Sequence, residues 1–176
     1  LKRGNMELDE IIRLRQSIRS FHDRSVHEGM IKTILNAANR APSAGNLQAY
    51  QMFVVLDRKI LEQLSRAALN QEFISQASFA IIFCADPERS AVRYRDRGRQ
   101  LYSIQDATIA GTFAMLAATS LGLGSVWVGA FDEDAVRTTI GASSNIKPVL
   151  ILPIGYPAED PDVRPRRDLS DIVVWR

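Results

Sequence analysis

The stretch SIQDATIAGTFAMLAATSLGLGSVWVGAF, Ser103 to Phe131, decides the fold. From Ala107 to Leu121 it holds no charged residue, only alanines, larger apolar residues, three threonines, Ser120 and Gly111. Fifteen such residues without proline predict a helix, from about Leu101 to Leu121. A helix apolar almost all round must be buried on more than one side. In a chain this short, that predicts a core helix that also meets a second subunit. Gly122-Leu-Gly124 ends the helix, and Ser125-Val-Trp-Val-Gly-Ala130 reads as the strand that follows it.

Outward from this helix, apolar runs and breakers alternate. Upstream, Met52 to Leu56 and Phe79 to Ala85 read as buried strands, and downstream Pro148 to Leu152 reads as a third. Asn5 is an expected N-cap for a first helix to about Gln16, with Leu8, Ile11 and Ile12 as its inner face. A second helix is expected from His27 to Arg40, stopped by the breaker cluster Ala41 to Asn46. Asp57 should cap a third helix that turns Ile60, Leu61, Leu64 and Ala68 inward, and Asp132 or Asp134 should open another through Ile140. The stretch from Asp86 to Arg99 reads as charged and exposed. The proline-rich tail after Pro157 carries a last strand signal, Ile172-Val-Val-Trp175, suited to pairing with a sheet edge, possible also in a partner. Helices interleaved with four or five strands give an α/β or α+β class with one sheet.

Composition sets the outer bounds. The 176 residues suffice for one domain with a real core, and 46% hydrophobic with 24% charged residues is ordinary for a globular protein. A net charge of +2 argues against a general nucleic-acid or membrane field, although arginines cluster at 89–99 and 164–167. One cysteine, Cys84, excludes an internal disulfide, and two histidines cannot assemble a zinc site. No apolar run reaches bilayer length, and a cytoplasmic setting is expected. Residues 1–5 are expected to be an upstream remnant before Met6, with 6–176 forming the single domain.

Four stretches could carry chemistry. RQSIRSF (15–21) offers Arg15, Ser17 and Arg19 to one anion or polar ring, or it is a solvated basic helix end. The loop Pro42-Ser43-Ala44-Gly45-Asn46-Leu47-Gln48 places a hydroxyl and two amides between a helix and a strand, in residue types that are also plain turn formers. Trp127-Val128-Gly129-Ala130 ends a strand on small residues, where a backbone N–H could face a planar ligand. In Arg164-Pro165-Arg166-Arg167, alternation points Arg164 and Arg166 the same way, toward one phosphate or into solvent.

Taken in order, RQSIRSF, APSAGNLQAYQMFVV (41–55), the turn from Asn70 to Ala77, Ser103–Phe131, PVLILPIGYPAE (148–159) and RPRRDLSDIVVW (164–175) resemble the nitroreductase family of FMN flavoproteins. The resemblance implies an α+β sandwich with a central mixed sheet, and a homodimer with FMN at the subunit interface. A C-terminal arm that adds a strand to the partner is also expected. It places Arg15 and Ser17 at the ribityl phosphate end, with Gln16 beside them where many members carry arginine or histidine. Arg19 falls at the flavin pyrimidine edge, and Arg164 and Arg166 at the phosphate. Pro42, Ser43, Ala44, Asn46 and Gln48 match the loop donated by the other subunit. Asn70 matches an amide that hydrogen-bonds the flavin ring, with Gln71 next to it. Gly129 and Ala130 match the residues whose backbone amide meets flavin N5, and Trp127 and Val128 lead into them.

The implied activity is transfer of hydride from NADH or NADPH through FMN to a nitroaromatic, quinone or flavin, with no side chain acting as acid, base or nucleophile. Two alternatives remain at this level. One is other FMN chemistry on the same fold, such as dehalogenation, substrate dehydrogenation or flavin breakdown. The other is a non-enzymatic anion- or nucleic-acid-binding module built on the arginines, against which an aromatic content of only 7% counts.

Overall fold

The computed structural model describes residues 7–176. The expected Asn5 cap and Met6 start lie outside these residues. The elements run α1 (Leu8–Leu14), α2 (Glu28–Asn39), β1 (Tyr50–Val55), α3 (Arg58–Ala67), α4 (Phe73–Gln76) and β2 (Phe79–Ala85). They continue with α5 (Pro87–Arg97), α6 (Ser103–Ser120), β3 (Gly124–Ser125), α7 (Glu133–Thr139) and β4 (Lys147–Gly155). Short 3-10 turns fall at Ala44–Asn46 and Leu169–Asp171. The class is α+β.

The sheet order is β1-β2-β4-β3. β2 is central, and every one of its seven residues is buried, because helices cover both faces of the sheet. The two-residue period divides its side chains. Phe79, Ile81, Phe83 and Ala85 pack with Ile34 and Ala38 of α2 and the alanines of α6. Ala80, Ile82 and Cys84 pack with Leu61 and Leu64 of α3, Ile74 of α4 and Val136 of α7. Gly111 lets α6 lie close on the sheet, since a Cβ there would stand 2.5 Å from Leu150 Cδ2. Cys84 is a core residue, and burial pushes its thiol up to about 12.

Caps define the element ends. His27 Nδ1 accepts from Gly29 N, Asp57 accepts from the N–H groups of Lys59 and Ile60, and Asp132 accepts from Ala135 N. At the far end of α6, Leu123 N donates to Ala118 O and Gly122 N to Thr119 O, both at 2.9 Å. With Gly122 at φ 73°, this is a Schellman cap.

Five expectations change. All three ladders are antiparallel, so the four strands of this chain do not themselves make a mixed sheet. Among the described residues the parallel pairing is the single bridge Ser17–Ser125. The strand expected over 125–130 is cut to Gly124–Ser125, because β4 is met again only at a lone bridge from Val128 to Ile151. The segment after Asp86 is charged and largely exposed as read, but it is also a helix, α5, nucleated by the Asp86 side chain on Arg89 N with Pro87 in its first turn. The Ile172–Trp175 signal forms no strand in this chain, and Trp175 stands 91% exposed. Finally, no residue of α1 is fully buried: Ile11 is half-buried, while Leu8 and Ile12 are 62% and 56% exposed. Their periodicity predicts an apolar face but not what covers it.

Candidate functional site

The segment after α1 is laced to the far end of the chain. Ile18 N donates to Ser125 O (3.0 Å), His22 N to Tyr156 O (2.9 Å), and Ala158 N to Ser20 O (2.9 Å). Glu159 closes this seam, its Oε1 accepting from the backbone N–H groups of Arg19 and Ser20. Ile18 and Phe21 are buried and anchor the segment from beneath. Gly124 permits the approach, since a Cβ there would lie 2.8–2.9 Å from three Ile18 side-chain atoms.

Held this way, Arg15, Gln16, Ser17 and Arg19 line one wall of a cleft of about 590 Å³. Pro161, Asp162, Val163, Arg164 and Arg166 line the other, although some 150 residues separate the two walls in sequence. Arg13 adds a fifth guanidinium, and Asp162 is the one carboxylate in the lining. Among the described residues none of these five arginines pairs with a carboxylate. A cleft this rich in guanidinium forks favours a multiply charged oxyanion. Arg166 turns one nitrogen onto Arg164 O (3.1 Å), which couples the two positions, while Arg167 points elsewhere and donates to Asp171 O.

The remaining expected residues fall into two other places. Pro42, Ser43 and Ala44 line a separate groove of about 460 Å³ with Tyr102, Gln105, Asp106, Thr108 and Ile109. This groove shares no residue with the arginine cleft of the same chain. Asn46 and Gln48 both have positive φ, 56° and 49°, so this loop is tightly coiled. Ser43 Oγ accepts from Gln48 N at 3.0 Å and pins its ends together. In the third place, Gln71 Nε2 donates to Ala68 O (2.9 Å) and Ala130 O (3.0 Å), which ties the 70–71 turn to the end of the Trp127–Ala130 segment. Asn70 is exposed, at φ 58°.

Gly129 and Ala130 are exposed, and among the described residues their N–H groups have no acceptor. Val128 contributes differently: its side chain is buried and its N–H is spent on Ile151 O. Trp127 packs beside Gly111 and the core of α6. Both hold the backbone that carries Gly129.

Two positioning residues escape the sequence reading. Asp106, 2% exposed, accepts from Ala44 N (2.9 Å) with one oxygen and from Ala49 N (3.3 Å) with the other. It fixes both ends of the Pro42–Gln48 loop to α6. A lone carboxylate in the first turn of a helix otherwise free of charge is the signal that could have found it. Glu159, at the end of PVLILPIGYPAE, has no comparable mark, because its partners are backbone groups 139 and 140 residues away.

The nitroreductase family model matches residues 12–85 and 61–156. This chain belongs to the nitroreductase family. Among its relatives is an Archaeoglobus fulgidus protein provisionally named NADH dehydrogenase/NAD(P)H nitroreductase, 37% identical over 157 residues and 87% of each chain. A Thermus thermophilus protein named NADH dehydrogenase is 31% identical, over 92% of each. Among solved structures, the Vibrio harveyi NADPH:FMN oxidoreductase complexed with NAD+ superposes with a TM-score of 0.87. It is 27% identical, over 96% of this chain and 76% of the other. The nitroreductase-family chain thus shares the fold over nearly its whole length; of the cleft's two walls, the one from Ile12 to Arg19 falls within the family-model match and the one from Pro161 to Arg166 lies beyond it.

Proposed function

We propose that this chain is an FMN-dependent NAD(P)H oxidoreductase that passes hydride to an acceptor such as a nitroaromatic, a quinone or a flavin. The observation that carries the reading is the convergence of Arg15, Ser17 and Arg19 with Arg164 and Arg166 on one cleft. The donor set fits a phosphate monoester: five arginines face one carboxylate, and Ser17 adds a hydroxyl. Relatives named as an oxygen-insensitive NADPH nitroreductase (Salmonella typhimurium) and an FMN reductase (Bacillus subtilis) support the same assignment.

In this reading Arg15, Arg164 and Arg166 hold the phosphate and Gln16 borders it. Arg19 places a cation where negative charge develops on the ring system. The free N–H groups of Gly129 and Ala130 serve the ring, backed by Gln71 and Asn70. When bound, FMN supplies the redox chemistry, accepting hydride from NAD(P)H and returning it to the second substrate in a ping-pong cycle. The protein's part is to bind, orient and tune.

A partner subunit completes the flavin site in this proposal, beyond the two walls that one chain supplies. The Pro42–Gln48 loop lies in a groove apart from the arginine cleft of its own chain, so it would serve the site of the other subunit. Beyond Asp106, α6 carries no charge and leaves Phe113 38% exposed, and α1 exposes Leu8 and Ile12, which suits a homodimer interface. The open edge of β1 could receive the partner's 172–175 segment as a fifth strand.

The test is a titration of the purified chain with FMN, followed by its visible spectrum, then NADH or NADPH oxidation with a nitroaromatic. Arg15→Ala should lose about 1.5–3 kcal/mol of FMN binding, roughly 10- to 150-fold, as a lost charge-assisted hydrogen bond. A chain that takes up no FMN refutes the function, and an Arg15→Ala variant that binds as tightly as the parent refutes the phosphate assignment.

A further inference from the structure

We propose that Arg93 and Arg97, beside the groove of the Pro42–Gln48 loop, form a subsite for a phosphomonoester carried by a substrate. The inference rests on the oxidoreductase reading, because it takes this groove to face the place that hydride donor and acceptor occupy in turn.

α5 and the wider helical turn after it, Gly98–Tyr102, carry Arg89, Arg93, Arg95, Arg97 and Arg99, with only Glu88 and Asp96 to offset them. Arg99 takes both acids, Glu88 at 2.8 Å and Asp96 at 2.9 Å. Arg89 Nε is spent on Leu47 O. Arg93 and Arg97 have no carboxylate partner among the described residues.

These two side chains are nonetheless placed. Arg93 lies 5.5 Å from the Tyr94 ring centre and Arg97 5.3 Å from that of Tyr102. The two rings meet edge to face with centres 5.0 Å apart. Arg97 Nε also donates to Tyr102 Oη at 2.9 Å. The backbone kinks between them at Arg95, φ 51°, so the link between the two guanidinium groups runs through the tyrosine pair and not through helical spacing.

That rim belongs to the loop. A Cβ on Gly45 would stand 2.6 Å from Tyr94 Oη and 2.8 Å from Arg93 Nη1, and Tyr102 lines the groove with Pro42, Ser43 and Ala44. Guanidinium groups held against aromatic rings lose less freedom on binding and keep N–H donors for an anion. Their chemistry selects a dianionic phosphomonoester over a neutral group. Two substrates could bring one: NADPH through its 2′-phosphate, or FMN arriving as acceptor through its 5′-phosphate.

The experiment compares the flavin-loaded parent with Arg93→Gln/Arg97→Gln and Arg93→Lys/Arg97→Lys variants. Calorimetry with NADP+ and NAD+ is paired with KM values for NADPH, NADH, and FMN against riboflavin as acceptors. The glutamine pair should weaken NADP+ about tenfold, with NAD+ within about twofold, and the lysine pair should recover most of the loss. Loss of the FMN-over-riboflavin preference, with NADP+ unchanged, would support the same subsite and assign it to the acceptor. If neither preference moves, the subsite is refuted. Should the protein take up no flavin, the functional reading fails by itself, and NADP+ against NAD+ on the flavin-free chain still decides the subsite.

Discussion

Asp106→Asn isolates the tie between the longest helix and the Pro42–Gln48 loop. The carboxylate is buried and spends one oxygen on each of two backbone amides, Ala44 N at 2.9 Å and Ala49 N at 3.3 Å. Asparagine keeps the shape but offers one carbonyl oxygen, so one bond survives and the side-chain NH2 must face the other amide. The lost charge-assisted bond is worth about 1.5–3 kcal/mol, and an orphaned amide adds to it. Removing a buried charge returns part of that cost. A net loss of about 2 kcal/mol follows, or about 4–8 °C in Tm for a chain of this length. Urea unfolding gives the free energy, and amide hydrogen exchange at Ala44 and Ala49 shows whether the loop ends have come loose. A variant within about 0.5 kcal/mol of the parent, with unchanged exchange at both amides, would refute the reasoning.

Other consequences can be checked alongside. Gly124→Ala would place a methyl against the branched Ile18 side chain, whose Cβ cannot swing away. The Arg15–Phe21 segment must then shift, costing about 1–3 kcal/mol of stability and weakening FMN uptake, and a variant with parental affinity would show that the seam does not position the arginines. Cys84 should resist thiol reagents in native protein at pH 8 and react once unfolded, because burial holds its thiol near 12. Its folded pKa lies above the unfolded value of 9.0, so its stabilising contribution is full below about pH 9 and falls away from 9 toward 12. Rapid native labelling at pH 8 would contradict this burial.

Much of the fold was legible because it is written in local periods. Phe79–Ala85 alternates its side chains between two cores, and an uninterrupted apolar run states that both faces are covered. Asp57, Asp132 and Gly122 announce helix ends through side-chain and backbone chemistry confined to a few residues. The site was legible only as separate pieces. RQSIRSF and RPRR each look like solvated basic segments until the family order joins them. α5 was missed because four arginines mask a helix whose start depends on Asp86 and Pro87. Asp106 was missed because its role lies in two amides 57 and 62 residues away.

The sequence alone therefore determined that helices interleave with one sheet, the buried strand Phe79–Ala85, the caps and the four candidate stretches, since each depends on neighbours within a few residues. Only the tertiary structure decided that the early arginines and the arm share one cleft, that the Pro42–Gln48 loop lies in another, and that α1 stands uncovered. The physical reason is distance along the chain. Bonds such as Ala158 N to Ser20 O join residues with no local relation, and their partners are chosen by the packing of the sheet and α6 between them.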